Sequence, residues 1–361
     1  MSRSLVVAMA GGGTGGHVIP ALAVARELAE RGHSPFFIGT RRGMEARLVP
    51  EAGFDIEWIE IGGLNRVGLT RMLKSACELP ASVWRAGGGL GRRGAQAVFS
   101  MGGYAAGPVM LAAIWKRVPM AVMEPNAVPG LTSRKLRRFI RRALVSFPEA
   151  ENYFLPGRTE ITGLPVRREF FAIEPKPRGE WFTILITGGS QGSRTLNEAA
   201  RASWPLFKQS GLRVRFLHQT GEASAGDLAR EFAANGVEGR VTAFIKDMPA
   251  AMAEADLVVC RSGAGAVAEL AASGKPSLLV PFPFAADDHQ LRNAQAMERA
   301  GAARLVLDRE MTGERFFREA GALAADADLL RKMGAAARAM AHPRAARRAV
   351  EILEEMVPVH G

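Results

Sequence analysis

The sequence predicts an α/β protein of two doubly wound domains, each built on a parallel sheet. Three observations carry this. The apolar run Leu5–Ala10 enters a glycine-rich loop, Gly11-Gly-Gly-Thr14-Gly15-Gly16-His17, and then an amphipathic helical segment, Ala21–Glu30. The same order returns in mid-chain: strand-like Trp181–Thr187, loop Gly188–Ser193, helical Thr195–Arg201. Between the two starts, residues 169–180 carry Pro175, Pro177 and Gly179 among mixed charges, which is linker composition.

The elements follow in order. Pro35–Thr40, Ala97–Ser100, Met120–Met123 and Ala143–Ser146 read as strands of the first half. Val214–His218, Val241–Ala243, Leu257–Cys260 and Ser277–Val280 read as strands of the second. Several are continuous Val/Leu/Ile runs, as strands covered on both faces require. The tail Ala335–Met356 is Ala/Arg/Glu-rich and helical, with a break near His342-Pro343. The expected domains are 1–163 and 164–345, with a final helix, 346–361, packing back on the first. Such a pair holds its ligand outside the strand C-termini.

Composition narrows the classes. A chain of 361 residues, 48% hydrophobic, fills two cores. A net charge of +11 and a pI near 10.4 attract polyanions. No zinc-finger spacing or RNP aromatic motif accompanies that charge, so nucleic acid is not the expected partner. No apolar run approaches the roughly 18 residues of a membrane span. The longest candidate, Ala105–Trp115, contains Gly107 and Pro108, and Leu5–Ala10 is too short for a signal-peptide core. A cytoplasmic chain is the expectation. Cys77 and Cys260 form no CxxC pair, and the six histidines lack metal-site spacing, so reduced thiols and no metal are expected.

The loops carry the chemistry. Gly11-x-Gly13-x-x-Gly16 matches the dinucleotide fingerprint formally, but the acid expected about 20 residues on is missing from Ile38-Gly39-Thr40-Arg41-Arg42. Arg41 and Arg42 leave room for a 2′-phosphate. The second loop, Gly188-x-Ser190-x-x-Ser193, fails the fingerprint, and no P-loop motif exists. His17 stands where the first helix begins, a proton-transfer group beside backbone amides suited to a phosphate. Ser100–Tyr104 and Met123–Thr132 each follow a strand and should share the edge of His17. Arg261–Leu270 reads as a loop entering another helix, with Glu269 in an early turn. Its amides suit a diphosphate; its carboxylate suits either a ribose diol or the helix dipole. Pro281–Ala294 places His289, Gln290 and Asn293 between apolar flanks, fit for sugar hydroxyls or for capping the next helix. Asp326-Ala-Asp328 has DxD spacing but reads as helix-start acids.

Taken in order, Gly12–His17, Met101–Tyr104, Glu124-x-Asn126-Ala-x-x-Gly-Leu-Thr132, Gly188–Gly192, Arg261–Ala264 through Glu269, and His289-Gln290-x-x-Asn293-Ala resemble the MurG family. These are the peptidoglycan transferases that add N-acetylglucosamine to lipid-linked N-acetylmuramoyl-pentapeptide. The resemblance spans nearly the whole chain and implies the GT-B fold. It implies donor contacts to UDP-N-acetylglucosamine from Ser190, from Ala264, Gly265, Ala266, Val267, Ala268 and Glu269, from Ile245 to uracil, from Gln290 to the sugar and from Arg167 to the nucleotide. It places Thr14, Gly15, Gly16, Tyr104 and Asn126 along the acceptor side, with Thr14, Gly15, Gly16 and Asn126 also reaching the donor. Leu164 and Pro125 depart from the family pattern, at the hinge and beside Asn126.

The implied reaction is a single inverting displacement by the acceptor C4 hydroxyl. His17 is the expected general base and Glu124 its rival, while loop amides and Arg167 carry leaving-group charge with no cofactor and no obligatory metal. A lipid acceptor implies a peripheral protein on the cytoplasmic side of the inner membrane, with other cell-wall synthesis proteins as further partners. Residues 131–142 carry six cations, among them Arg134, Lys135, Arg137, Arg138 and Arg141, between bulky apolar side chains. Trp84 and Trp115, with Met72, Leu73, Leu79 and Val83, are expected to add an apolar patch for an anionic leaflet. The alternative is a UDP-N-acetylglucosamine epimerase on the same fold, which needs neither lipid acceptor nor patch.

Overall fold

The computed structural model describes residues 4–61, 69–177 and 179–357, with backbone alone for 69–77, so Met72, Leu73 and Cys77 lie outside the described side chains. Two compact units emerge, Met1–Val166 with Arg344–Gly361, and Arg167–Pro343. The first boundary therefore falls at Val166 rather than 163, and the chain returns at Arg344 rather than 346.

The N-terminal unit holds seven strands: β1 (Val6–Gly11), β2 (Ser34–Gly39), β3 (Ile56–Trp58), β4 (Ala97–Gly102), β5 (Met120–Glu124), β6 (Arg142–Val145) and β7 (Thr159–Ile161). They form one sheet in the order β3-β2-β1-β4-β5-β6-β7, every pair parallel. The C-terminal unit holds β8 (Phe182–Thr187), β9 (Val214–Gln219), β10 (Glu238–Thr242), β11 (Leu257–Cys260), β12 (Ser277–Leu279) and β13 (Ala303–Leu305). Their order, β10-β9-β8-β11-β12-β13, repeats the first sheet's winding, again all parallel. In both sheets the winding reverses beside the first strand, between β1 and β4 and between β8 and β11. That switch point is where an open parallel sheet leaves a crevice for ligand.

The strands are apolar because both faces are covered. Val7, Ala8 and Met9 of β1, and Leu257, Val258 and Val259 of β11, have no exposed surface. In the C-terminal unit, Phe207 meets Phe216, Phe316 and Phe317 edge-on, with centroids 4.9–6.0 Å apart. Three strands escaped the sequence reading, β3, β7 and β13, each three residues long. The tail divides into helices Ala327–Ala339 and Ala345–Met356. The last one packs on helix Gly15–Glu30 of the N-terminal unit, burying Val350, Ile352, Leu353 and Met356. Arg31 meets Glu354 at 3.2 Å, and Arg348 meets Glu160 at 2.6 Å. His33 Nδ1 accepts the Leu5 N–H at 3.1 Å, which leaves its Nε2–H to donate to Glu354 at 2.9 Å.

Candidate active site

In the N-terminal unit, the loops after β1, β4 and β5 bring Thr14, His17, Tyr104, Glu124 and Asn126 to the C-terminal edge of one sheet. Helix Gly15–Glu30 starts directly after Thr14. Thr14 Oγ1 and His17 Nδ1 lie 3.2 Å apart, and the Thr14 carbonyl accepts the His17 N–H at 3.1 Å. His17 is half-buried. A Cβ on Gly103, which has φ +82°, would lie 2.7 Å from the Gly12 carbonyl oxygen and 3.4 Å from His17 Nδ1. Only glycine lets the two loops close in this way.

One residue missed by the sequence reading organises this loop. Glu45, fully buried in the first turn of helix Glu45–Glu51, accepts the Gly13 N–H at 2.8 Å. It also accepts the Thr40 N–H at 3.0 Å and the Thr40 hydroxyl at 2.8 Å. The Thr40 oxygen lies 3.0 Å from the Tyr104 hydroxyl. The fingerprint's missing acid thus arrives from the next helix and turns inward. Its carboxylate engages the Gly13 amide, one of the N–H groups of this loop. The sequence carried no spacing signal for it.

Glu124, at the end of β5, is 4% exposed. Its Oε1 accepts the Asn126 backbone N–H at 3.2 Å and side-chain Nδ2 at 3.3 Å, and its Oε2 accepts the Gly130 N–H at 3.0 Å. Desolvation raises its pKa to about 7 against the opposing pull of these hydrogen bonds and of Arg134. Both oxygens are engaged in shaping the 126–130 turn, an arrangement that holds Asn126.

In the C-terminal unit the loop after β8 reaches helix Arg194–Ser210 through Gly192, whose φ is +74° and whose absent Cβ would collide with the Thr220 carbonyl. Ser193 caps that helix by accepting the Leu196 N–H at 3.3 Å, and Ser190 is exposed at the loop's tip. Beneath lies buried Gln219, a second residue the sequence reading missed. Its Nε2 donates to the Gly189 carbonyl at 2.9 Å and to Thr187 Oγ1 at 3.2 Å, and its Oε1 accepts the Ile245 N–H at 2.9 Å. Ile245 therefore has only its carbonyl to offer a base edge.

Beyond β11, helix Ala264–Ser273 starts with Gly263 as its cap. The first-turn amides of Ala264, Gly265 and Ala266 have no partner within the helix, whereas the Val267 N–H donates to the Gly263 carbonyl at 3.0 Å. Val267, which is buried, and Ala268 belong to the helix ladder, so neither can offer an amide to a diphosphate. Glu269 is the helix's sixth residue, not an early-turn acid, so the dipole gives no account of it. Its carboxyl is desolvated and pushed up to about 7, opposed by the Arg167 guanidinium. Arg167 opens this unit and stacks over Phe170 at 5.0 Å. Gln290 is tied on both sides: its Oε1 accepts the Phe282 N–H at 3.0 Å, and its carbonyl accepts the Ser262 hydroxyl at 2.8 Å. Fully buried Asn293 donates to the Ser262 carbonyl at 3.2 Å. Asp287 and Asp288 beside it adopt left-handed φ of 50° and 51°, a strained backbone in the loop that presents Gln290. Asp326 caps helix Ala327–Ala339, accepting the Leu329 N–H at 2.8 Å, as the helix-start reading of the DxD spacing has it.

The basic run is not a single helix face. Helix Leu131–Leu136 is six residues long, and Arg142 already belongs to β6. Arg134 is half-buried and acts on Glu124, which removes it from the outer surface. Leu79 and Val83 pack against the core, so they too leave the patch. Trp84 (70% exposed), Trp115 (56%) and Phe139 (55%) remain outside. Lys135, Arg137, Arg138 and Arg141 are exposed, with no ion-pair partner among the described residues. Among the described residues no helix is long and apolar enough to cross a membrane.

Two repeated sheets with ligand loops at both switch points define a two-domain, nucleotide-sugar type of glycosyltransferase, the GT-B class. Residues 7–145 match the glycosyltransferase family 28 N-terminal domain and residues 183–349 its C-terminal domain. A relative from Solibacter usitatus (strain Ellin6076), named UDP-N-acetylglucosamine–N-acetylmuramyl-(pentapeptide) pyrophosphoryl-undecaprenol N-acetylglucosamine transferase, is 62% identical over 96% of this chain and 95% of its own. The crystal structure of Acinetobacter baumannii MurG superposes with a TM-score of 0.82 at 33% identity, covering 98% of this chain and all of that one. A UDP-GlcNAc 2-epimerase from Neisseria meningitidis, bound to UDP-GlcNAc, reaches 0.67 at 13% identity over 98% of this chain and 100% of its own, a likeness of fold alone. The chain belongs to glycosyltransferase family 28 and, within it, to the MurG transferases.

Proposed function

We infer that this protein moves N-acetylglucosamine from UDP-N-acetylglucosamine to the C4 hydroxyl of undecaprenyl-pyrophosphoryl-N-acetylmuramoyl-pentapeptide, a step of peptidoglycan synthesis. The observation that carries this is the 62% identity over nearly full length to a transferase of that name. The site geometry supports a division of labour. The acceptor binds the N-terminal unit at Thr14, His17, Tyr104 and Asn126. His17 takes the hydroxyl proton as the oxygen attacks the anomeric carbon, and the bond from that carbon to UDP breaks with inversion. Glu124 holds Asn126 in place through both oxygens. In the C-terminal unit the amides of Ala264, Gly265 and Ala266, with Ser190 and Arg167, receive the departing diphosphate charge. Glu269 takes the ribose diol, the Ile245 carbonyl the uracil, and Gln290 the sugar. These groups stabilise the leaving group without an obligatory metal.

The acceptor's lipid brings the protein to the cytoplasmic face of the inner membrane as a peripheral protein. Lys135, Arg137, Arg138 and Arg141, without an ion-pair partner among the described residues, and exposed Trp84, Trp115 and Phe139 support that contact, because elsewhere arginines such as Arg31, Arg93, Arg240 and Arg348 are matched to acids. Neutralising Arg137, Arg138 and Arg141 is expected to lower anionic-vesicle binding about 10²-fold, at about 1 kcal/mol per cation, and reversing their charges to lower it further, with retention on pelleting as the readout. Binding that ignores both these changes and added salt ends the membrane assignment.

The reaction itself is tested by UDP release from UDP-N-acetylglucosamine with and without the lipid-linked acceptor, in EDTA. Acceptor-dependent release with a β-1,4 disaccharide product is expected. Turnover without acceptor would point to the epimerase chemistry; release that returns only on adding a divalent ion would overturn the metal-free reading.

A further inference from the structure

We propose that Glu45 is a positioning residue for the acceptor side of the site, fixing both the first glycine loop and the hydrogen-bond polarity of Tyr104. The inference rests on the reading that Thr14, His17 and Tyr104 meet the acceptor.

The chain of contacts is short and one-directional. A carboxylate only accepts hydrogen bonds. Glu45 Oε1 accepts both the N–H and the hydroxyl of Thr40, at 3.0 and 2.8 Å. The Thr40 proton is thereby committed to Glu45, so its oxygen must accept, and the Tyr104 hydroxyl 3.0 Å away must donate to it. Tyr104 is left with oxygen lone pairs alone to turn outward. Its oxygen accepts a hydrogen bond from a hydroxyl of the incoming sugar and donates none. Aligned donors of this kind reinforce one another in a buried setting.

The second oxygen of the same carboxylate acts on the loop that leads to His17. Glu45 Oε2 accepts the Gly13 N–H at 2.8 Å, and Thr14 follows as the residue whose carbonyl and hydroxyl meet His17. Tyr104 closes the circuit: a Cβ on Gly13 would lie 2.8 Å from its ring. Gly12, Gly39 and Gly43 all approach Glu45 so closely that a Cβ at any of them would strike its side chain. A carboxylate enclosed by three glycines has no room to take another rotamer, which makes it a rigid post for the loop and the tyrosine together.

Glu45→Gln tests this. An amide in that place must present a donor either to Thr40, which disrupts the relay to Tyr104, or to the Gly13 N–H, which loses the hold on the loop. With UDP-N-acetylglucosamine and lipid-linked acceptor, kcat is expected to fall about 10²-fold, the scale of a misplaced reacting group, while the UDP Kd stays unchanged. Tyr104→Phe alone should cost tenfold or more, yet less than about threefold when added to Glu45→Gln, because the two act as one unit. A purely structural role would leave those losses multiplying independently. Thermal unfolding reports whether the variant folds. If it does not, Thr40→Val cuts the relay while sparing Glu45 and is expected to lose about tenfold in kcat with the same UDP Kd. Parent-like turnover in either folded variant, or independent losses in the double variant, overturns the proposal. Should His17→Ala and Tyr104→Phe both leave turnover intact, the acceptor-side reading fails and this inference goes with it; if they matter and Glu45→Gln does not, only the role of Glu45 falls.

Discussion

The two glycine-rich loops hold the same place in the same winding, after β1 and after β8, yet each is fastened from below by a different group. The first is held by Glu45, an acceptor with a carboxylate's charge, through the Gly13 amide. The second is held by Gln219, a neutral amide that donates to the Gly189 carbonyl and accepts from Ile245. A buried carboxylate and an uncharged amide set different fields beneath their loops. Repeating a backbone motif therefore does not repeat its electrostatics. On the proposed function, the neutral fastening residue lies under the loop that receives the UDP diphosphate.

The sharpest way to test this contrast is to disable each loop in turn. His17→Ala is expected to lower kcat about 10²- to 10⁴-fold with UDP affinity intact, whereas Ser190→Ala should weaken UDP binding and spare the base. Steady-state kinetics beside calorimetric UDP titration separate the two; a His17→Ala loss below tenfold removes its role as base. Next, Gln219→Glu puts a charge under the donor loop. A fall in UDP affinity of about 10²-fold is expected from one like charge in a low-dielectric site, and unchanged affinity in a folded variant would break the comparison.

A smaller effect is set by pH. With Glu269 titrating at about 7, its carboxylate is lost as pH falls, so UDP should bind about fivefold more weakly at pH 6 than at pH 7. In Glu269→Gln that dependence should vanish. A separate effect falls on stability rather than on binding or turnover. Glu124 titrates at about 7 when folded, above its ordinary 4.5, so between those values the folded state holds more protons and stability falls as pH rises. Glu124→Gln should flatten that slope, by about 3 kcal/mol at most. Buried Lys275 runs the other way: held down at about 8 from 10.5, it makes the C-terminal unit more stable as pH climbs through that window. Denaturant titrations across pH 4–10 follow both.

What the sequence made legible follows from what each feature depends on. The two starts, the long strands and the returning tail helix are written in contiguous apolar runs, and they read directly. Glu269 was visible because it lies on a helix that follows a glycine loop, although its turn was misjudged. Glu45 and Gln219 were not visible. Each acts on a loop distant in sequence, Glu45 on Gly13 and Gln219 on Gly189, and neither side chain belongs to a short motif. Their roles exist only once the sheet order brings β2 beside β1 and β9 beside β8. The basic run misled in the opposite sense: its composition was real, but folding turned Arg134 inward toward Glu124 and began β6 at Arg142.

The closing helix of the N-terminal unit comes from the far end of the chain. Helix Ala345–Met356 supplies the apolar cover for helix Gly15–Glu30 and the carboxylate that receives His33. In chain order, about 180 residues that form a unit of their own lie between the body of the first unit and the helix that covers its flank. The N-terminal unit, first to be synthesised, is thus the last to receive all of its own residues.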